Sequence, residues 1–216
     1  MGQNIPDLLI TFLTRIRERT IRSYRELNQM ATKGQTVCAG SSLMENFPIN
    51  EMLMNLGCTK KVYNRGIGGF TIDEYNEVLD VVLDLEPSKL FINIGSNDLS
   101  LPGDTLDNLL SKYKALILRI QAALPACQIT MLAFYPCRDS NEPPPIAGRI
   151  SRTMDMVNLA NEQLQLLATE LGCGWLNCNA PLLADDGMLR QDYMTDPVHF
   201  SPAGYAEVLK ILREHL

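Results

Sequence analysis

Five short apolar runs, each handing over to a stretch with helical spacing, constrain this chain more than anything else in it. The runs are QTVCAG, KVYNRG, KLFINIG, QITMLAFYP and GWLNCN, and they read as short buried strands. Helical stretches lie at about 43–56, 71–85, 105–124, 151–171 and 202–215. Strands that alternate with helices join through crossovers into a parallel sheet with helices on both faces. The expected class is α/β, built on five parallel strands. One loop stands apart: residues 137–149, CRDSNEPPPIAGR, whose three consecutive prolines forbid helix and favour a stiff surface excursion.

Ahead of the first strand, Leu9, Phe12, Leu13, Ile16, Ile21, Tyr24 and Leu27 recur at helical spacing, Pro6 suits a first helical turn, and Gly34 closes the unit. This predicts a helical extension over residues 1–33 and a main domain over residues 34–216. The chain is 46% hydrophobic and 20% charged, enough for one domain with a substantial core. Its net charge of −6 argues against an unaided grip on nucleic-acid phosphate. The basic cluster Arg15, Arg17, Arg19, Arg22 and Arg25 is interleaved with Glu18 and Glu26, which reads as a solvated or internally paired helix face.

Six cysteines are present, none in a CxxC pair and none near a histidine cluster, so no zinc site is expected. Cys38, Cys127 and Cys178 fall in apolar runs, where a thiol behaves as a small hydrophobe. The early run LLITFL, between Asp7 and Arg15, is too short for a membrane span and lacks the form of a signal peptide. The expectation is a cytoplasmic protein with reduced thiols.

In a parallel α/β sheet, ligands sit at the carboxyl ends of the strands. There the chain places Gly40-Ser41-Ser42, then Arg65-Gly66-Ile67-Gly68-Gly69, then Gly95-Ser96-Asn97-Asp98. Of the two histidines, His215 belongs to the chain end and is expected in solvent. His199 lies three residues after Asp196, in TDPVHFSPAGY. A carboxylate at that spacing can fold back, accept the Nδ1 proton and leave Nε2 free as a base. A base of this kind suits a serine nucleophile, which must lose its proton as it attacks. Either Ser41 or Ser42 could instead serve as a helix N-cap. Asn97 and Gly69 can offer N–H groups to an oxyanion, although both residue types also serve ordinary turns. The GIGG run lacks the spacing and the Lys-Ser/Thr of a phosphate loop.

Together these residues resemble the GDSL, or SGNH, hydrolase family of esterases and lipases. Gly40-Ser41-Ser42-Leu43 matches the family's Gly-Asp-Ser-Leu block, and Asn64 to Gly69 matches the second block. Gly95-Ser96-Asn97-Asp98 matches Gly-x-Asn-Asp, and Asp196-Pro197-Val198-His199 matches Asp-x-x-His. The resemblance implies a three-layer, flavodoxin-like α/β/α sandwich. It implies Ser42, His199 and Asp196 as catalytic residues, and Ser42, Gly69 and Asn97 as the oxyanion hole. It implies hydrolysis of a small carboxylic ester through an acyl-enzyme, with no metal or cofactor. A short acyl group such as O-acetyl on a carbohydrate is preferred, with lysophospholipid or thioester hydrolysis open to the same site. A flavodoxin-like nucleotide- or flavin-binding module is one rival. A catalytically silent interaction protein is another, kept alive by Ser41 where the family has aspartate.

Side-chain directions are not given by the motifs. Met44, Glu45, Phe47, Tyr193, Met194, Val198 and Phe200 lie near the cleft in sequence, and Arg138 and Arg149 could meet an acidic substrate or stay solvated. The N-terminal segment falls outside the resemblance and could cover a sheet edge or support a homo-oligomer.

Overall fold

The structure, a computed structural model, describes residues 5–139 and 149–216, with side chains from residue 10 onward. In chain order the elements are α1 (Ile5–Asn28), β1 (Thr36–Gly40), α2 (Ser42–Glu45), α3 (Ile49–Asn55), β2 (Val62–Gly66), α4 (Ile72–Glu77) and α5 (Asp80–Leu83). There follow β3 (Lys89–Asn93), α6 (Leu106–Ala123), β4 (Gln128–Leu132), α7 (Met154–Glu170), β5 (Gly174–Leu176) and α8 (Pro202–Leu212). The five strands form one parallel sheet in the order β2-β1-β3-β4-β5. This is the expected α/β class.

Alternation along the strands divides the core into two layers. Val37, Ala39, Leu90 and Ile92 face one side, packed with residues of α4 to α7 such as Tyr75, Tyr113 and Val157. Cys38 and Phe91 face the other, packed with Ile49, Leu53, Val208 and Leu212 of α3 and α8. Strands buried on both faces need apolar residues at successive positions, which is why they read as continuous runs. All six thiols are free, and those of Cys38, Cys137 and Cys178 are buried.

Two expected helices are broken. The stretch 43–56 divides into α2 and α3 at Pro48, which has no N–H to continue a helix and instead stands at the N-cap of α3. The stretch 71–85 divides into α4 and α5, and the jog lets adjacent Val81 and Val82 both bury completely. Where helices start cleanly, the sequence supplies caps. Thr71 and Glu74 form a reciprocal capping box on α4, and Thr105, Thr153 and Ser201 cap α6, α7 and α8.

Helix α1 packs over the end of edge strand β2. Tyr24 Oη donates to Gly66 O at 2.8 Å, and the Arg65 guanidinium lies between the rings of Tyr24 and Tyr63, 4.8 and 5.5 Å from their centres. Asn28 Oδ1 accepts from Arg65 Nε and Nη2, and its Nδ2 donates to Val81 O. Arg17 pairs with Glu74, Arg22 with Glu26 and Arg25 with Asp80, so much of the basic face is internally paired. No described helix is long and apolar enough to cross a membrane. The three prolines of the loop lie outside the described residues, and only its ends, including Arg138 and Arg149, can be placed.

Candidate active site

The strand order reverses direction at β1, and register aligns the strand ends there. Gly40 pairs with Gly66 on one side and with Asn93 on the other. The segments that follow these residues leave the sheet along one edge, at the kind of switch point where open α/β sheets bind ligands. Ser42 is the first residue of α2. A methyl group on Gly66 would run into the backbone of Glu45, so this short helix sits directly on the end of β2. Asn64 Nδ2 donates to Met44 O at 2.6 Å and Tyr205 Oη to Leu43 O at 2.9 Å, which anchors the turn bearing Ser42.

Ser42 Oγ lies 2.8 Å from His199 Nε2, and His199 Nδ1 lies 2.6 Å from Asp196 Oδ2. Asp196 Oδ1 accepts the N–H groups of Val198 and His199, both at 2.9 Å, and the turn closes through Thr195 N–H donating to His199 O. The turn thus grips one carboxylate oxygen while the other faces the imidazole. Burial raises the Asp196 carboxyl, but the Val198 N–H and the His199 ring outweigh it and hold the group below the usual carboxylate range. A carboxylate at Nδ1 keeps the proton there, so Nε2 can accept from the serine. Neither serine caps α2 through its side chain. Ser41 is at the N-cap with no such bond, and its buried Oγ has no partner among the described residues.

Asn97 and Gly69 border the same cavity as Ser42, Asp196 and His199, a space of about 630 Å³. Asn97 Nδ2 gives one N–H to Phe70 O at 2.9 Å, which fixes the amide and leaves its second N–H without a protein acceptor among the described residues. Gly69 has φ +73°, in the region that favours glycine. Asp98, next to Asn97, is buried and accepts the N–H of Ile72 at the start of α4. Burial pushes its carboxyl up to about 6, against the pull of that N–H and of Lys112.

Other expectations divide. Glu45 and Val198 line the cavity, whereas Met44, Phe47 and Phe200 are buried in the core beneath α8, and Tyr193 and Met194 pack against it. Arg138 pairs with Asp186 at 2.8 Å, and Arg149 Nη1 donates to Asn97 O at 2.8 Å. His215 is exposed, as expected.

Two arginines at the site carry no sequence signal of their own. Arg17 reaches across from α1 to donate through Nε to Gly68 O at 3.0 Å, and Leu13 and Ile16 form the adjoining wall. Glu45 lies opposite. Burial raises its carboxyl, while the Gly68 N–H and the Arg17 charge oppose that rise. Arg152 points its Nη2 at Asn97 Oδ1, 3.4 Å away. A charge run on a helix and an arginine in RISRT name no partner. Among the described residues there is no cluster of side chains able to hold a metal ion.

A serine hydroxyl held against an oriented imidazole, at the carboxyl edge of a parallel sheet, is the equipment of hydrolases with a nucleophilic serine. The family model of GDSL-like lipases and acylhydrolases matches residues 40–207, and the chain belongs to that family. Among solved structures, a protein from Streptococcus pneumonia, provisionally described as a platelet activating factor, superposes with a TM-score of 0.84 at 27% identity. That similarity covers 97% of this chain and 96% of the other. A GDSL-like lipase from Bacteroides thetaiotaomicron VPI-5482 superposes at 0.73 with 16% identity, covering 90% of this chain and 96% of that one. The psychrotrophic esterase EstA from Pseudoalteromonas sp., in a structure inhibited by monoethylphosphonate, gives 0.61 at 15%, covering 83% and 95%. No curated protein sequence matches this chain.

Proposed function

We propose that this chain hydrolyses a small carboxylic ester through an acyl-enzyme formed on Ser42. The observation that carries the reading is the continuous line from Asp196 through His199 to Ser42 Oγ, with heavy-atom separations of 2.6 and 2.8 Å. Ser42 Oγ attacks the ester carbonyl carbon as His199 Nε2 takes its proton. The carbonyl oxygen becomes an oxyanion, met by the N–H groups of Ser42 and Gly69 and the free amide N–H of Asn97. Ser42 N–H belongs to the first turn of α2, where the open N–H groups favour an incoming negative charge. The tetrahedral species collapses, the carbon–oxygen bond to the alcohol breaks, and the imidazolium returns its proton to the departing alkoxide. Water then repeats the cycle on the acyl-serine and releases the acid. Asp196 stays ionised throughout and stabilises the imidazolium.

A short acyl group is the preferred substrate, such as an acetyl ester of a sugar. One observation favours longer chains, as in a lysophospholipid or a thioester. The cavity has an apolar wall from Leu13, Ile16, Leu43 and Ile150, enough to receive several methylenes.

The test is hydrolysis of p-nitrophenyl esters from acetate upward by the protein and by Ser42→Ala. The proposal expects activity that this single change abolishes. A rate that survives in Ser42→Ala, or no hydrolysis of any ester, would overturn it. A maximum at acetate would favour the short-acyl reading, and a rate that climbs with chain length would favour the apolar wall as an acyl site.

A further inference from the structure

Four arginines border the cavity, and they are not equivalent. Arg17 is paired with Glu74 and Arg138 with Asp186. Arg149 and Arg152 form no ion pair with any described carboxylate. The acids nearby are engaged elsewhere. Asp196 faces His199, Glu45 faces Gly68, Asp98 faces the N–H of Ile72, and Asp139 accepts the N–H of Met154.

Arg152 is the more telling of the pair. Its relative exposure is 9%, and among the described residues its Nε has no hydrogen-bond partner and its one side-chain hydrogen bond is the 3.4 Å approach of Nη2 to Asn97 Oδ1. Burying a guanidinium without a counter-ion is costly, and leaving one of its donors unused adds to that cost. Desolvation works against its charged form and the neighbouring Arg149 charge adds to that opposition, while Cys137 and Asp98 offset part of it. The chain carries a net charge of −6, yet among the described residues no carboxylate forms an ion pair with this guanidinium.

We infer that Arg149 and Arg152 form an anion subsite, and that the substrate is an ester carrying a carboxylate or phosphate group within a few bonds of the scissile carbonyl. The inference rests on the esterase reading above and narrows its substrate class. A carboxylate or phosphate suits the planar fork of a guanidinium, which can give such groups two parallel hydrogen bonds. The spacing follows from the contacts. Both arginines touch Asn97, one at its backbone oxygen and one at its side-chain oxygen, so an anion bound to them lies within a residue's width of the oxyanion donor.

The experiment compares kcat/KM within two matched pairs. One pair is 2-acetoxyethanol and its phosphate monoester, with the anion on the alcohol side. The other is methyl butanoate and methyl hydrogen succinate, with the anion on the acyl side. In at least one pair the anionic ester is expected to be favoured by about ten- to hundredfold, the scale of one or two charge-assisted hydrogen bonds. Arg149→Gln, at a half-exposed position, and Arg152→Gln should each cut that ratio severalfold. The ratio cancels any loss common to both esters, including one caused by disturbing Asn97.

Ratios near or below one in both pairs would overturn the inference, as would a preference unchanged in both variants. If Ser42-dependent turnover of neutral esters is present, such a result sinks the subsite and leaves the esterase reading intact. If no ester is hydrolysed, the esterase reading falls, and calorimetry with inorganic phosphate and with succinate decides the subsite. Binding that Arg152→Gln or Arg149→Gln removes would support it, and the absence of binding would overturn it.

Discussion

The approach of Arg17 to the glycine loop predicts a coupling that can be measured. A methyl group added at Gly69 would meet Arg17 Nη2, and the backbone there has φ +73°. Gly69→Ala therefore carries two penalties. The left-handed conformation costs an alanine roughly 1–2 kcal/mol. The guanidinium must also withdraw, which breaks its hydrogen bond to Gly68 O and its ion pair with Glu74, both partly shielded from water. Losing those contacts adds about 1–2 kcal/mol. The total in the native background is about 2–4 kcal/mol. In an Arg17→Ala background only the backbone penalty remains, so the same substitution should cost about 1–2 kcal/mol. Urea unfolding of the four proteins gives the coupling directly as the difference between the two costs. A coupling of about 1–2 kcal/mol is expected. Equal costs in both backgrounds, within about 0.5 kcal/mol, would refute the idea that α1 is wedged against the site.

Other expectations follow from individual contacts. Asn97→Ala should lower kcat by about 10²–10³, the scale of one lost oxyanion donor, and a loss under about threefold would remove Asn97 from that role. Asn28→Ala leaves two donors of buried Arg65 without an acceptor and should destabilise the fold by about 2–4 kcal/mol in urea unfolding, where a negligible effect would count against that network. Asp98 is raised by burial from 3.8 to about 6, so the folded state binds its proton more tightly than the unfolded state does, and stability should fall as pH rises between these values, by about 3 kcal/mol. Asp98→Asn keeps an acceptor for Ile72 N–H and should gain relative to the native protein between pH 4 and pH 7.5, whereas a pH-independent difference would contradict the assignment.

What could be read from the sequence depended on how local each interaction is. The strands were legible because burial on both faces leaves an unbroken apolar run such as KLFINIG. Asp196 and His199 were legible because a three-residue turn closes their contact without help from the rest of the fold. Pro48 could have announced the break between α2 and α3, since a residue without an N–H cannot sit within a helix. The break before α5 had no such marker, because it answers to the packing of Val81 and Val82 against distant strands. The same holds for side-chain direction. Met44, Phe47 and Phe200 adjoin the site in sequence but are buried in the core, and only the tertiary arrangement decides that. Arg17 looked like one charge among five, and its path to Gly68 crosses from another element altogether.

This division bears on how substrate choice arises under the proposed reading. The family model begins at residue 40, after the whole of α1, yet Leu13, Ile16 and Arg17 of that helix border the cavity. The similarity to the Streptococcus pneumonia structure covers 97% of this chain, so it reaches well into α1 as well. On the other side of the cavity, Arg149 and Arg152 lie between the recognisable blocks and belong to none of them. The motif residues meet atoms that every carboxylic ester has: a carbonyl carbon, its oxygen and a departing oxygen. Groups that meet only those atoms lower the barrier for all esters alike and discriminate little among them. Discrimination has to come from groups that touch what differs between esters, and α1 and residues 149–152 supply several of the cavity's groups outside the motifs. Substitutions at Leu13, Ile16 or Arg149 should therefore reorder a panel of esters, while Asn97→Ala should slow all of its members by similar factors. A reordering caused by Asn97→Ala, with α1 variants leaving the panel order intact, would reverse this assignment of roles.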